Sequence, residues 1–226
     1  MINRDYRNSL ERNGYVFIPS FLPSFDINKV LHMIGGIQFT YIFESEGLSK
    51  TIETLHPKNK NGSNKNTYSG IFGMDEFPFH TDLSQLNRPP RYLFLRCING
   101  AKNVKTNILP LEIIASKFDE GKLNKCILKQ REKLLPNNPL PLKLIFDDQF
   151  IRWDSIFLRP ANKHAEDFYT WMTQKNWSGI EKNCTLLNKG DSLIIDNWKV
   201  LHSRSSVSEE DKSRVIERVY LSEVLK

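Results

Sequence analysis

The 226-residue sequence contains only three cysteines, Cys97, Cys126 and Cys184, and no two of them lie close together in the chain. A disulfide framework or a zinc knuckle needs cysteines at short, regular spacings, so both are excluded. The first residues lack the apolar segment of a secretory signal peptide. No apolar run approaches the roughly 20 residues that a membrane-spanning helix needs. We therefore expect a cytoplasmic protein in a reducing compartment, without a membrane partner.

The excess of basic over acidic residues is also small. The chain has 32 Lys and Arg against 26 Asp and Glu, a formal net charge of +6. The basic residues are spread along the sequence, as on a solvated lysine-rich surface, whereas a nucleic-acid-binding segment would concentrate them. This distribution disfavours a nucleic-acid partner, and an anionic substrate stays open as a second explanation of the charge.

Low-complexity sequence is confined to one segment, residues 58–66, which is rich in Lys and Asn. The length and composition predict a single domain over residues 1–226. Within it, residues 1–45 are predicted to hold an entry helix and strand. Residues 46–66 are predicted to form a mobile polar loop, a possible lid over a substrate.

Two further local patterns predict secondary structure. Residues 124–135 are basic and apolar in the manner of a helix, so we expect a helix there. Residues 144–153 contain two β-prone runs separated by Asp147 and Asp148, which predicts a hairpin.

The most informative stretch is residues 77–82, in which His80 and Asp82 stand at positions i and i+2. On an extended strand this spacing directs both side chains to the same face. One imidazole and one carboxylate, completed by a distant histidine, form the set that holds Fe(II) and leaves coordination positions open. A His-x-Asp pattern alone is weak, because three-residue patterns of common residues arise by chance.

Two downstream stretches strengthen this interpretation. Residues 192–196 are β-prone, follow a turn at residues 188–191, and are followed closely by His202. Residues 214–221 then alternate, which predicts a strand with Arg214, Ile216, Arg218 and Tyr220 on one face.

The order His80-x-Asp82, His202, Arg214 and Arg218 resembles the iron(II)/2-oxoglutarate dioxygenases of the taurine dioxygenase (TauD/TfdA) and clavaminate synthase-like group. Residues 190–204 are similar to that family's second metal-ligand strand, and residues 87–92 are similar to the segment that follows its His-x-Asp. The resemblance runs from about residue 66 to the C-terminus. It implies a mainly β protein with flanking helices and a double-stranded β-helix (jelly-roll) core.

The resemblance also implies roles for the residues of this chain that match the family's motif. His80, Asp82 and His202 would be the metal ligands. Arg214, 12 residues after His202, stands where the family binds the distal carboxylate of 2-oxoglutarate, and its planar fork suits a carboxylate. Arg218 lies roughly 13 Å farther along a strand, so it would serve the keto-acid end or the substrate.

The family has a polar residue, usually Thr, after the His-x-Asp that also holds the distal carboxylate. Counting through Pro90 places Asn103 at this position, with Thr106 three residues later, and both stay open as candidates. Tyr68 and Glu76 precede the His-x-Asp in a segment that lines the substrate pocket in the relatives. Arg152 is a further candidate substrate contact, because an arginine can bind a carboxylate with two hydrogen bonds.

The expected cofactor is therefore Fe(II), with 2-oxoglutarate and O2 as cosubstrates and succinate and CO2 as products. The expected reaction is hydroxylation, or another oxidation, of a C–H bond in a small polar metabolite with a carboxylate, such as an amino acid or a natural-product intermediate. Related halogenases have a small residue where this chain has Asp82, which argues against halogenation. The alternatives left open are a cupin-like metal-binding protein without 2-oxoglutarate turnover and a dioxygenase directed at nucleic acid or protein.

Overall fold

The computed structural model describes residues 4–39, 42–43, 47–48, 52–131, 141–147 and 150–225. The described helices are α1 (Arg4–Asn13), α2 (Ile27–Met33), α3 (Tyr68–Phe72), α4 (Leu111–Lys117), α5 (Glu120–Leu123) and α6 (Lys163–Gln174), with 3-10 turns at Lys60–Gly62 and Glu209–Asp211. The strands are β1 (Tyr15–Ile18), β2 (Ile37–Gln38), β3 (Ile42–Phe43), β4 (Gly47–Leu48), β5 (Ile52–Leu55), β6 (Tyr92–Asn99), β7 (Lys105–Pro110), β8 (Ile127–Gln130), β9 (Leu142–Lys143), β10 (Ile145–Phe146), β11 (Phe150–Ile151), β12 (Leu158–Pro160), β13 (Lys182–Thr185), β14 (Ser192–Asp196), β15 (Val200–Arg204) and β16 (Val215–Glu223).

Two antiparallel sheets face each other and form the centre of the molecule. The main sheet has the strand order β1-β14-β6-β16-β2, with β5 also paired to β16, and the small sheet has the order β13-β7-β15. Apolar side chains at alternate positions of both sheets pack between them, including Leu93, Ile195 and Ile216 from the main sheet and Ile108 and Val200 from the small one. This is the double-stranded β-helix that the sequence predicted.

The N-terminal helices cover the outer face of the main sheet. Leu10 of α1 and Val30 and Leu31 of α2 pack with Phe94 and Val219 from the sheet. The carboxylate of Asp26 caps α2 by accepting a hydrogen bond from the amide of Lys29, as acidic residues at helix starts commonly do.

A second layer covers the outer face of the small sheet. It consists of α4, α6 and the three-stranded sheet β12-β8-β9, which contribute Ile114, Phe168 and Leu128 to one apolar cluster. Leu109 of β7 and Leu201 of β15 reach this cluster from the small sheet. The outward face of the small sheet is therefore apolar at Leu109 and Leu201, where the second layer covers it, and polar at Asn107 and Ser203, which hydrogen-bond to each other at 3.0 Å.

The prediction of a polar loop over residues 46–66 is wrong for Ile52–Leu55. These four residues form β5 and pair with β16 over the register Ile216 to Val219, with Glu53 opposite Arg218. A strand this short has too little alternation to be recognised, and its partner lies far along the chain. Residues 46 and 49–51 are outside the described residues, and the role as a lid stays a prediction.

The predicted helix over residues 124–135 is also wrong. Ile127–Gln130 forms β8, which pairs with both β12 and β9, and residues 132–140 lie outside the described residues. The hairpin prediction is confirmed, since β10 pairs with β11 in antiparallel register. Asp147 has a φ of 47°, the left-handed conformation that tight hairpin turns require and that Asp tolerates.

Within the part of the chain that is described, no helix combines the length and apolar character that crossing a membrane requires.

Candidate metal centre

The two histidines at positions 80 and 202 are joined through the backbone. The amide of His80 donates to the carbonyl of His202 at 3.0 Å, and the amide of His202 donates to the carbonyl of His80 at 3.1 Å. This is a single isolated bridge, so the predicted strand over residues 77–82 does not form. The chain turns directly after Asp82, where Leu83 has a φ of 53°, a conformation that is uncommon for a residue other than glycine.

His80, Asp82 and His202 nevertheless point into one space, as the i, i+2 spacing predicted. Oδ1 of Asp82 lies 3.1 Å from Nε2 of His80 and 3.7 Å from Nε2 of His202. All candidate ligand atoms lie within 4.8 Å of one another, and all three residues are buried. Among the described residues this is the only group of His, Cys, Asp and Glu with such spacing.

The ionisation of the three residues suits metal binding. Burial and the neighbouring His80 lower the pKa of His202 to about 3, so His202 is neutral near pH 7. Burial opposes the charge of Asp82, but His202, His80 and Arg218 outweigh it and hold the pKa of the carboxyl well below its usual range. Burial lowers the pKa of His80, but Asp82 more than compensates and raises it above the ordinary value. A metal ion would therefore compete with a proton mainly at His80.

Asn197 holds the backbone of Asp82 in place. Its side-chain oxygen accepts from the amide of Asp82 at 2.9 Å, and its amide nitrogen donates to the carbonyls of Asp82 and Pro90, both at 3.0 Å. Asn197 lies in the short crossing from β14 to β15, so it connects the first metal-ligand segment to the second. The sequence interpretation quoted Asn197 within its motif but assigned it no role.

Tyr68 supports His80 and does not present a free hydroxyl to a substrate. Its ring stacks on the imidazole with 4.3 Å between centroids, and its hydroxyl donates to Oδ2 of Asp154 at 2.9 Å. Nδ1 of His80 lies 2.9 Å from the carbonyl of Pro78, to which it donates when Nε2 faces a metal. Asp154 is almost fully buried and was not predicted to take part in the site.

Arg218 and Tyr220 lie beside the triad on the inner face of β16. Ile216, Arg218 and Tyr220 pair with the inward residues Cys97, Leu95 and Leu93 of β6, which confirms the predicted alternation for these three. Arg214 precedes β16, and a register shift between Val215 and Ile216 separates it from the regular part of the strand. Nη1 of Arg218 is 3.6 Å from Oδ2 of Asp82, and its Nε is 3.0 Å from Oε2 of Glu53, which Nη2 also contacts. The ion pair with Glu53 could not be predicted because β5 was not recognised.

Arg214 is a buried cation that forms no ion pair in the described part of the chain, and its acidic neighbour is Asp211, whose charge acts to raise the pKa of Arg214. Arg214 is 8% exposed, and its Nε is buried without a hydrogen-bond partner. Burial lowers its pKa to about 10. The pKa of Arg204 is also lowered to about 10, by burial and then by the charge of Arg214, so the two guanidiniums are neighbours. No ion pair among the described residues involves Arg214, and the buried Arg214 beside the half-buried cation Arg204 favours an anion.

The structure separates the two candidates for the polar partner of Arg214. Thr106 lies on β7 opposite Arg204 of β15, two residues from Ile108, which is opposite His202. Because side chains alternate along a strand, Thr106, Arg204 and His202 all face inward. Asn103 is exposed in the turn before β7, so only Thr106 is on the same face as the metal centre.

Arg152 and Glu76 do not reach the triad. Arg152 is 2% exposed and donates to the carbonyls of Ser84 at 3.1 Å, Leu86 at 2.6 Å and Asn87 at 2.7 Å. It therefore clamps the turn that follows Asp82, and its guanidinium is engaged by these carbonyls, while the substrate role stays a prediction. Glu76 is exposed in an outer cleft that Asn107 also lines, on the opposite face of the small sheet from His202.

This clamp leads to a prediction about stability. Replacing Arg152 with alanine leaves three carbonyls without their donor, that of the buried Ser84 and those of Leu86 and Asn87, so the free energy of unfolding should fall by about 2 to 4 kcal/mol. Urea denaturation of the metal-free protein measures this change. Arg88→Ala is the control, because its side chain is 65% exposed and an exposed ion pair with Asp147 contributes about 1 kcal/mol at most. Unchanged unfolding with a raised substrate KM would support the substrate role of Arg152.

Comparison with solved structures defines the class of fold. The chain is similar to asparagine oxygenase in complex with Fe(II), 2S,3S-3-hydroxyasparagine and succinate, with a TM-score of 0.71 and 14% identity over 97% of this chain and 78% of that one. It is also similar to the non-heme iron oxygenase OrfP in complex with Fe, succinate and (3S)-hydroxy-L-Arg, with a TM-score of 0.68 and 18% identity over 97% of this chain and 80% of that one.

OrfP in complex with Fe and alpha-ketoglutaric acid gives a TM-score of 0.66 and 17% identity, over 97% of this chain and 79% of that one. No family model matches the sequence, and no curated protein matches it by sequence either. The chain thus has the double-stranded β-helix fold of the non-haem iron oxygenases. This confirms, for the fold, the resemblance that the sequence motifs indicated.

Proposed function

We propose that this protein is an Fe(II)/2-oxoglutarate-dependent oxygenase that hydroxylates a small amino-acid-like substrate. One observation carries the proposal. The buried set His80, Asp82 and His202 shares the interior of the barrel with Arg214, a buried cation that forms no ion pair among the described residues and has Asp211 as its acidic neighbour. The triad supplies a metal site, and the arginine supplies the charge that a dicarboxylate needs.

The three donors fit iron. Two imidazole nitrogens and one carboxylate oxygen are the set that non-haem Fe(II) oxygenases use, with the remaining positions open. Fe(II), when bound, supplies the activation of O2 that oxidises a C–H bond. The protein supplies orientation and exclusion of water, through Asn197 behind Asp82 and the aromatic ring of Tyr68 behind His80.

Arg214 would bind the distal carboxylate of 2-oxoglutarate through two parallel hydrogen bonds. Thr106 adds a hydroxyl donor from the same inner face, and the charge of Arg204 strengthens the attraction. The bound anion would pair with an arginine that forms no ion pair of its own among the described residues, so binding relieves an unfavourable charge. Thr106 is the proposed second contact to the cosubstrate, because it lies on the inner face of the small sheet, whereas Asn103 is exposed in the turn before β7.

The ion pair of Arg218 with Glu53 supports an amino-acid substrate. It lies beside Asp82 and is partly exposed, with 25% and 34% of the two side chains accessible. A zwitterion can replace this pair without changing the charge of the site, because its carboxylate meets Arg218 and its ammonium meets Glu53. The asparagine and arginine oxygenases of the same fold, which carry hydroxylated amino acids in their complexes, support this class.

The proposed place of action is the cytoplasm. Cys97, Cys126 and Cys184 are all unpaired, as is usual in a reducing compartment, and the cosubstrate is an intracellular metabolite. The proposed partners are small molecules only.

The first experiment is anaerobic addition of Fe(II) and then 2-oxoglutarate to the purified protein. We expect a weak visible charge-transfer band that needs both components, because only a keto acid chelated to Fe(II) produces it. Fe(II) binding without the band, in folded protein, would contradict 2-oxoglutarate dependence and favour the cupin-like alternative.

Substrate class is then tested by succinate release in air. Free amino acids of different side chains are compared with their matched analogues that lack the α-ammonium group. Succinate release that exceeds the uncoupled background only for amino acids supports the zwitterion site. Equal release with the analogues would remove Glu53 from the substrate contacts.

A further inference from the structure

The two oxygens of Asp82 have different surroundings. Oδ1 faces Nε2 of His80 at 3.1 Å and Nε2 of His202 at 3.7 Å. Oδ2 is turned away from the histidines and accepts a hydrogen bond from the hydroxyl of Tyr220 at 3.2 Å, with Nη1 of Arg218 at 3.6 Å. One oxygen is therefore directed at the metal position, and the other is engaged by protein donors.

This division determines how many coordination positions the carboxylate can occupy. A carboxylate binds a metal through one oxygen or through both, and the second mode takes a position that a ligand could otherwise use. A keto acid needs two adjacent positions and O2 needs one, so a facial set of three single donors leaves the required three on a six-coordinate ion. Hydrogen bonds to Oδ2 stabilise the one-oxygen mode, since binding through both oxygens would weaken them.

Tyr220 is the more constant of the two donors. It is 5% exposed and packs in the apolar cluster between the sheets, opposite Leu93 of β6. A buried tyrosine has few accessible rotamers, so its hydroxyl stays where the strand places it. Arg218 also contacts Glu53, and the proposed substrate would draw on the same guanidinium. The phenol therefore holds Oδ2 whether or not the substrate is present.

We propose that Tyr220 is a positioning residue that keeps Asp82 a one-oxygen ligand and so keeps three positions of the metal open. This inference rests on the proposed function, because the three open positions are needed only if a keto acid and O2 bind to the metal. Tyr220 acts through Asp82 and touches neither cosubstrate. The alternation of residues 214–221 predicted that Tyr220 lies on the same strand face as Arg218, but the sequence analysis assigned no role to Tyr220.

The test compares Tyr220→Phe with the wild type and with Tyr92→Phe, all as the full chain. The Tyr92 variant also loses one phenol hydroxyl from the central sheet, but Tyr92 packs with the outer cluster, away from the triad. Anaerobic equilibrium dialysis against Fe(II) measures metal affinity. We expect the dissociation constant to rise about 10-fold in Tyr220→Phe and to stay unchanged in Tyr92→Phe, as for other residues that orient a metal ligand.

A second readout addresses coordination itself. At saturating Fe(II) and 2-oxoglutarate, the charge-transfer band per bound iron should be weaker or displaced in Tyr220→Phe, because part of the population binds Asp82 through both oxygens. Unchanged affinity and an unchanged band would overturn the proposal, and so would an equal loss of affinity in Tyr92→Phe. If the wild type binds Fe(II) but shows no band, the proposed function fails, while the affinity ratio still decides the role of Tyr220.

Discussion

Asp82→Ala is expected to abolish succinate production and to weaken Fe(II) binding by at least about 100-fold. Asp82 supplies the only carboxylate of the triad, and both histidine Nε2 atoms lie within 3.7 Å of its Oδ1. Without it, two neutral imidazoles remain beside the positive charge of Arg218, and a divalent cation gains little there. His80→Ala is expected to have the same outcome, since it also removes one of three ligands.

The measurements are anaerobic equilibrium dialysis for Fe(II) and succinate release for turnover. Asp82→Asn is the matched variant, because it keeps the size of the side chain and the backbone contacts to Asn197 while removing the charge. It should fold as the wild type does and still lose most of the metal affinity. Asp75→Ala removes an exposed carboxylate that pairs with Lys60 and should change neither quantity. Full turnover in Asp82→Ala would exclude the proposed mechanism.

Arg214→Met is expected to raise the dissociation constant of 2-oxoglutarate roughly 100-fold, which corresponds to about 2.7 kcal/mol, while Fe(II) affinity stays the same. The variant removes the buried cation that the distal carboxylate would meet. Titration of the charge-transfer band with 2-oxoglutarate at fixed Fe(II) measures the change. Succinate release at increasing 2-oxoglutarate should show the same raised requirement.

Arg214→Met should weaken 2-oxoglutarate binding without lowering the free energy of unfolding. Arg214 is buried, its Nε has no hydrogen-bond partner, and it forms no ion pair among the described residues, so an apolar side chain of similar length should leave the ligand-free protein as stable or more stable. Loss of 2-oxoglutarate affinity together with retained stability separates a binding role from general damage. An unaltered 2-oxoglutarate requirement would transfer the role to Arg218.

The triad was predictable because it depends on local geometry that the backbone imposes. Residues at i and i+2 in extended backbone share a face. This held for His80 and Asp82, although the only β-bridge in their segment is the one between His80 and His202. The alternation of Ile216, Arg218 and Tyr220 was predictable for the same reason, since these residues lie in the regular part of β16, between its two register shifts. The fold followed from these motifs through their resemblance to a known group.

Short strands were not predictable, because their stability comes from partners that are distant in sequence. Ile52–Leu55 has four residues and pairs with β16, and its Glu53 meets Arg218 165 positions later. Ile127–Gln130 lies in a basic segment with good helix formers, but pairing on both edges and the burial of Leu128 outweigh that preference. Tertiary contacts override local propensity most easily where a segment is short.

The tasks of individual polar residues were also decided by the tertiary structure. An arginine can bind a substrate carboxylate or a set of backbone carbonyls equally well. Arg152 donates to the carbonyls of residues 84, 86 and 87, and only the tertiary structure shows that these carbonyls lie within its reach. Counting residues could not separate Asn103 from Thr106, whereas strand register places only Thr106 on the inner face.

The sequence by itself therefore determined the kind of chemistry, because the residue types and their spacing specify which ligands and charges are at hand. The tertiary structure decided how the residues around these ligands are arranged: Tyr68 lies behind His80, Tyr220 on Asp82 and Glu53 on Arg218, and Arg214 is buried without an ion pair among the described residues. The physical reason is that side-chain direction along a strand is a local property of the backbone. Burial and the identity of each hydrogen-bond partner depend on segments that meet only when the two sheets close on each other.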